Sequence, residues 1–347
     1  MTFFKYIDFL FKVIKANFRQ LKHPYKIFLV ITKSCGSRCT NCHIWKEVPK
    51  NELSLAEYQL LATHMGPHLS WLNLSGGEPT DHENLIEIID IFIESCPNLL
   101  IINFTSNGLN TEALVKVADY LEKTRIPIVG INVSIDGDED MHQKLRGGYD
   151  SYQKAINSLK KIRQFTRLHV HASMTLFQKN AHLVQETFLS IKKCIPDFLY
   201  RELHLNYSFF SDHYYKNQSG RNTFSTVKVP SLEKSPAYKL VINPMEFLKR
   251  IYHVKLLQYE KEKMSPLPCS SMSSNVYISE HGELYPCTIW NEKIGSLRDN
   301  QFNLTELLVS KKALEIKQRI KDRDCPNCWS PCEAFPSILD NIKEAIF

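Results

Sequence analysis

The sequence predicts an α/β protein built on a mainly parallel sheet, followed by a smaller cysteine-bearing segment. Two observations carry this. From residue 27 onward, short β-branched apolar runs alternate with longer segments of helical periodicity, the pattern of strands joined by crossover helices. After Pro266 and Pro268 the alternation stops, and five of the ten cysteines follow between residues 269 and 332.

The elements read in order as follows. Residues 3–21 place Phe3, Phe4, Ile7, Leu10, Phe11, Ile14, Phe18 and Leu21 at spacings of three and four with lysines between them. That is an amphipathic helix, which buries its apolar face on the protein or on a membrane surface. Strands are expected near 27–33, 70–75, 99–105, 128–135, 168–176 and 200–206. Helical periodicity covers 54–65, 83–95, 111–123, 151–165 and 181–194, with Asp81, Thr111 and Asn180 as expected caps. This makes about six βα units. Residues 208–242, rich in Ser, Asn, Tyr, Phe and Pro, form a long insertion on the face where βα loops build active sites, and are expected to act as a lid. A closing helix runs from Pro244 to about Glu262, and 303–321 is again helical. The expected units are residues 1–24 (helix), 25–263 (barrel, with 208–242 inserted) and 264–347 (cysteine-rich).

At 347 residues, 43% apolar and 23% charged, the chain has the composition of a globular protein with a sizeable core. It has no run of roughly 18 uncharged apolar residues, which a spanning helix requires. The net charge of +6 is spread over the sequence without a long basic run and supports no nucleic-acid partner. Lys5, Lys12, Lys15 and Arg19 interrupt any apolar secretory signal, so the cysteines are read in a reducing, cytoplasmic compartment. There, thiols at short spacing hold metal. Cys96 and Cys194 stand alone and are expected to pack as small apolar groups.

Cys35, Cys39 and Cys42 sit on one loop directly after the first strand. Soft thiolates suit iron–sulfur chemistry, and a [4Fe–4S] cube held by three of them keeps one iron open. A zinc site with His43 as fourth ligand is the alternative. After the second strand comes Ser75-Gly76-Gly77-Glu78-Pro79. Its glycines permit close backbone approach, and a carboxylate matches an ammonium group.

Together these segments resemble the radical S-adenosylmethionine (SAM) superfamily, whose signature is Cys-x3-Cys-x2-Cys after the first strand and a Gly-Gly-Glu-Pro turn after the second. The resemblance implies a partial (β/α)6 barrel of the TIM type, with a SAM-binding [4Fe–4S] cluster on Cys35, Cys39 and Cys42. It also implies that Gly76, Gly77 and Glu78 hold the methionine amino group of SAM. Asn107, Ser134 and Asp136 are the implied contacts to ribose and carboxylate, and Arg146 the clamp on the methionine carboxylate. One position departs from the pattern: Asn41 stands where the family often has an aromatic residue near adenine.

The later cysteines resemble the auxiliary-cluster extension called SPASM, or Twitch in its shorter form. Carried over residue by residue, this implies one auxiliary [4Fe–4S] cluster on Cys269, Cys287, Cys325 and Cys328, with Cys332 left over. A four-cysteine zinc site is the alternative.

The implied activity is that of an oxidoreductase or maturase. An external reductant of flavodoxin or ferredoxin type supplies an electron, SAM is cleaved, and the 5′-deoxyadenosyl radical takes hydrogen from a substrate carbon. A peptide is the first substrate class, because the long aromatic insertion suits an extended substrate. A small-molecule alcohol or sugar dehydrogenase and a lipid-modifying enzyme follow. A non-catalytic iron–sulfur electron-transfer protein is the reading from another class, and it has no need of Gly76, Gly77 and Glu78. No catalytic acid or base is named; Glu283 and Glu333 read as surface carboxylates.

Overall fold

A computed structural model describes residues 2–217 and 244–346. Its sheet begins with six parallel strands, each hydrogen-bonded to its neighbour in sequence: β1 (Lys26–Thr32), β2 (Trp71–Gly76), β3 (Ile101–Ser106), β4 (Ile128–Ser134), β5 (Leu168–Leu176) and β6 (Leu203–Tyr207). Between them run α2 (Leu55–Met65), α3 (Leu85–Ser95), α4 (Thr111–Lys123), α5 (Glu139–Arg146), α6 (Ser151–Ile162) and α7 (Val184–Cys194). All six expected strands and the five helices expected between them are present. The short α5 is an addition to the expected helices: it is eight residues long and mostly charged or polar, with only Met141 and Leu145 apolar.

Side chains alternate across a pleated strand, and that alternation sorts the barrel's inside from its outside. Ile27, Leu29 and Ile31 of β1, Leu72 and Leu74 of β2, and Ile102 and Phe104 of β3 pack outward against the helices in one apolar core. The intervening residues, among them Asn73, Asn103, Asn132, His171, Ser173 and His204, face a cavity of about 350 Å³.

The C-terminal segment is more regular than its sequence suggests. β7 (Asn275–Ile278) pairs parallel with the free edge of β1, and antiparallel β8 (Glu283–Tyr285) and β9 (Gly295–Ser296) follow. The strand order is thus β6-β5-β4-β3-β2-β1-β7-β8-β9. An exposed strand edge leaves backbone groups without partners, and β7 supplies them to β1. α8 (Pro244–Glu262) matches the expected closing helix, and α9 (Leu304–Leu308), α10 (Lys311–Lys321), α11 (Pro331–Asp340) and α12 (Ile342–Ile346) complete the chain.

The N-terminal helix leaves its apolar face uncovered by the protein, and the three expected caps are corrected. The N-terminal helix α1 (Thr2–Ala16) turns its most apolar side outward: Phe3, Phe4, Leu10, Phe11, Ile14 and Phe18 are all exposed. It packs instead through Phe9, Val13 and Ala16 on Tyr25 and Leu339, while Lys5 and Lys12 donate to Leu99 O (3.1 Å) and Pro67 O (2.7 Å). The cap of α4 is Asn110, whose side chain accepts from Ala113 N, not Thr111. Asp81 lies in a 3-10 turn ahead of α3. Asn180 caps a 3-10 turn and spends its amide on the Asp136 and Thr175 carbonyls. Of the long insertion, residues 208–217 fold back against the sheet, with Tyr214 edge-on to Phe28 and Tyr277. The rest, 218–242, lies outside the described residues. Cys96 is fully buried and Cys194 packs against the core, as expected.

Asn110→Ala removes a side-chain cap and is expected to lower stability by about 1 kcal/mol in urea denaturation; an unchanged midpoint contradicts the assignment.

Candidate functional site

The cysteine loop is irregular backbone that leaves β1 and is fastened from outside. Gly77 N donates to Thr32 O and Glu78 N to Ser34 O, both at 2.7 Å. Arg38 N donates to Arg146 O (2.9 Å) and Thr40 N to Leu145 O (2.8 Å) at the end of α5. Gly36 N reaches the Asp81 carboxylate at 3.2 Å. Held this way, Cys35, Cys39 and Cys42 line one end of the barrel cavity. Burial pushes the Cys35 thiol up to about 11 and the Cys42 thiol to about 12, so these groups ionise only against a strong positive charge. A coordinated metal centre is such a charge.

The glycine pair is set against the backbone at the end of β1. A Cβ on Gly77 would lie 2.1 Å from Ser34 O, and one on Gly76 2.5 Å from Thr32 O. Both glycines are therefore required by close approach to the backbone of Thr32 and Ser34, and both also line the cavity. Gly147 has the same role on the other flank: it sits at φ +67°, and its Cβ would be 2.6 Å from Arg38 O.

Glu78 is buried at the cavity wall, and its carboxylate accepts from Asn107 N (2.5 Å) and from Thr80 N (3.2 Å) and Oγ1 (2.8 Å). Burial raises its pKa against the pull of those donors. It ties the β2 turn to the β3 turn, and its remaining lone pairs are what a cationic ligand can use. Asn107 lies beside Cys35, its Nδ2 3.8 Å from the sulfur, and Ser134 also lines the cavity.

Asp136 does not line the cavity. It is 1% exposed and sits behind Arg146, accepting from its Nε at 2.6 Å and from Thr175 N at 2.7 Å. Arg146 does line the cavity, and its guanidinium lies against the Cys39 sulfur. Burial works against its charge, yet Asp136 and the neighbouring thiols hold its pKa above the ordinary arginine value. Asp136 thus orients Arg146 and does not itself face a ligand. Sequence reasoning missed Trp45, an aromatic side chain in the same wall with Arg38 4.9 Å from its ring. Asn41 lines the wall as well.

His43 turns away from the thiols; its N donates to Tyr215 O (2.8 Å) and its Nδ1 bonds Lys216 O (3.0 Å). Among the described residues no three His, Cys, Asp or Glu side chains converge closely enough for a single metal ion.

Cys269, Cys287, Cys325 and Cys328 surround a second, smaller pocket walled by Ile289, Trp290 and Ile320. Trp290 N donates to the Cys287 sulfur (3.3 Å) and Ser271 N to that of Cys269 (3.5 Å), the kind of contact that tunes sulfur ligands. Glu333 lines this pocket too. It is 3% exposed, hence no surface carboxylate, and holds Thr288 through its N (3.0 Å) and Oγ1. Glu283 is the surface group of the two, paired with Lys293 at 2.6 Å. Cys332, left over in the sequence, faces the barrel cavity and not this pocket.

Residues 29–189 match the model of the radical SAM superfamily, and residues 269–344 match SPASM, an iron–sulfur cluster-binding domain. The chain carries a radical SAM domain and, after it, a SPASM domain. Its cofactors are those of that build: a SAM-binding [4Fe–4S] cluster, SAM, and iron–sulfur in the C-terminal domain. The sporulation killing factor maturation protein SkfB of Bacillus subtilis (strain 168) is 26% identical over 166 residues, 47% of this chain and 38% of SkfB. The match thus spans well under half of that curated relative. Among solved structures, native anSMEcpe with bound AdoMet and Kp18Cys peptide aligns over 93% of this chain and 96% of its own, with TM-score 0.56 and 12% identity. Streptococcus suis SuiB bound to precursor peptide SuiA aligns over 94% of this chain and 76% of its own, with TM-score 0.58 and 14% identity. At these identities the structures show the shared fold.

Gly77→Ala is expected to destabilise the fold by about 1–3 kcal/mol, because its methyl group has no space beside Ser34 O. Calorimetry that finds the melting temperature unchanged overturns the role given to this glycine.

Proposed function

We propose that this chain is a radical SAM peptide-modifying enzyme. The observation that carries the reading is that Cys35, Cys39, Cys42, Glu78, Asn107, Ser134 and Arg146, all at or beyond the C-terminal ends of the strands, line one cavity. In this reading Cys35, Cys39 and Cys42 ligate the SAM-binding cluster, and Cys269, Cys287, Cys325 and Cys328 ligate one auxiliary cluster. When bound, cluster and SAM supply a 5′-deoxyadenosyl radical that takes hydrogen from an unactivated carbon. Arg146, aimed by Asp136, clamps the methionine carboxylate, and the free lone pairs of Glu78 take its ammonium. The enclosing wall keeps water from the reacting groups.

The peptide reading is supported by the cavity's lining. Asn73, Asn103, Asn132 and Asn206 project into it from four strands. Amide side chains both donate and accept, as a peptide backbone requires. SkfB, a maturation protein, and SuiB, bound to a precursor peptide, point the same way. An external reductant of flavodoxin or ferredoxin type completes the scheme.

Anaerobically reconstituted protein given dithionite and SAM is expected to release 5′-deoxyadenosine. Cys39→Ser should abolish release while the auxiliary iron remains. Cys332→Ser should leave iron and sulfide content unchanged, since its thiol lies outside the second pocket. Protein that binds iron at the first loop yet leaves SAM intact under dithionite refutes the function.

The outward aromatic face of α1 supports peripheral membrane contact, because aromatic side chains beside Lys15 and Arg19 suit an anionic lipid surface. Sedimentation with phosphatidylglycerol vesicles should carry the protein down, and Phe4→Asp with Phe11→Asp should release it. Equal sedimentation of both forms counts against lipid.

A further inference from the structure

On the β5–β6 flank of the cavity four side chains from three elements meet: His171 from β5, His204 from β6, and Tyr252 and His253 from α8. The His171 and His204 ring centroids are 4.1 Å apart, and those of Tyr252 and His253 are 5.3 Å apart. His253 is among the groups whose charge acts on His204, so the two pairs adjoin. Each of the four carries a buried polar atom without a hydrogen-bond partner: His171 Nδ1, His204 Nε2, Tyr252 Oη and His253 Nδ1. Tyr252 as a whole is 3% exposed.

Buried polar atoms without partners are rare and costly, and several lining one cavity mark a ligand group that satisfies them. The protons on the four side chains say what that group is. Burial holds the His171 and His204 pKa values well below the ordinary range and brings His253 to about 4, so the three rings are uncharged. A neutral imidazole has one N–H and one bare nitrogen. Lys249 Nζ, which has other partners as well, lies 3.2 Å from His171 Nε2. An ammonium group only donates, so Nε2 accepts and the free Nδ1 carries the ring proton. His171 thus offers a donor, while His204, His253 and the Tyr252 hydroxyl each donate or accept according to tautomer and rotation. Such a set matches an uncharged partner that both accepts and donates, and the C=O and N–H of an amide are that partner. An ionised carboxylate only accepts, and burying its charge against uncharged groups is costly.

We propose that His171, His204, Tyr252 and His253 form a subsite for an uncharged amide group of the substrate, either a backbone peptide group or the carboxamide of an Asn or Gln side chain. The assignment rests on the peptide reading for the molecule that bears the amide. The subsite stands on β5, β6 and the helix after them, whereas the thiol-bearing loop leaves β1 at the other end of the six-strand run. An amide held there fixes the substrate at a second point, and so selects which of its carbons is presented to the radical.

The test is a saturation-transfer NMR titration of the anaerobically reconstituted, SAM-loaded protein with four small probes. N-methylacetamide presents a peptide group, propionamide a side-chain carboxamide, methyl acetate an acceptor without a donor, and acetate a charge. At least one amide is expected to bind about tenfold more tightly than methyl acetate, which is the scale of one buried polar group left unpaired. Whichever amide binds better identifies the source. His204→Phe keeps an aromatic ring beside His171 and deletes both nitrogens, and should erase the preference. Tyr252→Phe should weaken amide binding while the melting temperature of the ligand-free protein does not fall, because the deleted hydroxyl has no partner within the protein. Equal response to amides and ester, absence of binding included, overturns the proposal, as does acetate binding more tightly than both amides. A preference that survives both substitutions, or a lower melting temperature for Tyr252→Phe, overturns it as well. Failure of the unsubstituted protein to cleave SAM under dithionite would instead count against the function proposed above and leave the amide–ester comparison readable.

Discussion

Everything in the upper half of the barrel depends on five backbone N–H groups that hold an irregular loop still. A strand or helix satisfies its own backbone, whereas the loop of residues 33–42 has neither ladder nor helix to do so. Its carbonyls at Thr32 and Ser34 are met by Gly77 and Glu78; its own N–H groups at Gly36, Arg38 and Thr40 are met by Asp81, Arg146 and Leu145. The turn after β2 and the end of α5 thus serve first as clamps on the thiol-bearing loop. Glu78 and Arg146 enter the cavity from those same clamps, so the side chains proposed to hold SAM are fixed relative to the sulfurs by the bonds that position the loop. Preorganisation of this kind is what a radical reaction needs from a protein.

The charged groups extend the same logic. A buried guanidinium is tolerated only when its charge is matched and its donors are used. Asp136 does this for Arg146, and is held in turn by Thr175 N, while Asn180 bonds its carbonyl. Residues from β4, α5, β5 and the turn before α7 therefore cooperate to aim one side chain. Asp136 supports the arrangement from behind the cavity wall without lining the cavity itself.

Much of this was legible in the sequence, and the reason is locality. Strands, crossover helices, the cysteine spacing and the glycine turn are each encoded within ten residues or fewer, where periodicity and motif suffice. What failed depended on neighbours distant in sequence. The glycines at 76 and 77 announced a close approach, but only the fold shows that the approaching backbone is that of β1. Periodicity left open whether the apolar face of α1 meets the protein or a membrane, and the choice is made by distant partners: Lys5 and Lys12 reach carbonyls beneath the helix and the phenylalanines lie outward. The pairing of β7 with β1 joins segments some 250 residues apart, and four residues of strand carry too little pattern to announce it. The group around His171 draws on three elements and has no motif at all.

The two thiol-bearing spaces are separated by a wall whose construction follows from one short run of sequence. Cys325 and Cys328 face the small pocket; Ser330 and Cys332 face the barrel cavity; Glu333 returns to the small pocket. Trp329, at the crossing, is 1% exposed, donates to Tyr252 O at 3.1 Å and stacks on the Tyr252 ring with centroids 6.1 Å apart. The side chain of Lys26, fully buried, bonds the Cys332 carbonyl and lies over Trp71, which locks the start of α11 to β1. Trp329 and Tyr252 thus pack together where the chain passes from residues lining the small pocket to residues lining the barrel cavity. Sulfur ligands kept from water differ in reduction potential from exposed ones, so the packing that fixes this short run also sets the surroundings of the cysteines on either side of it.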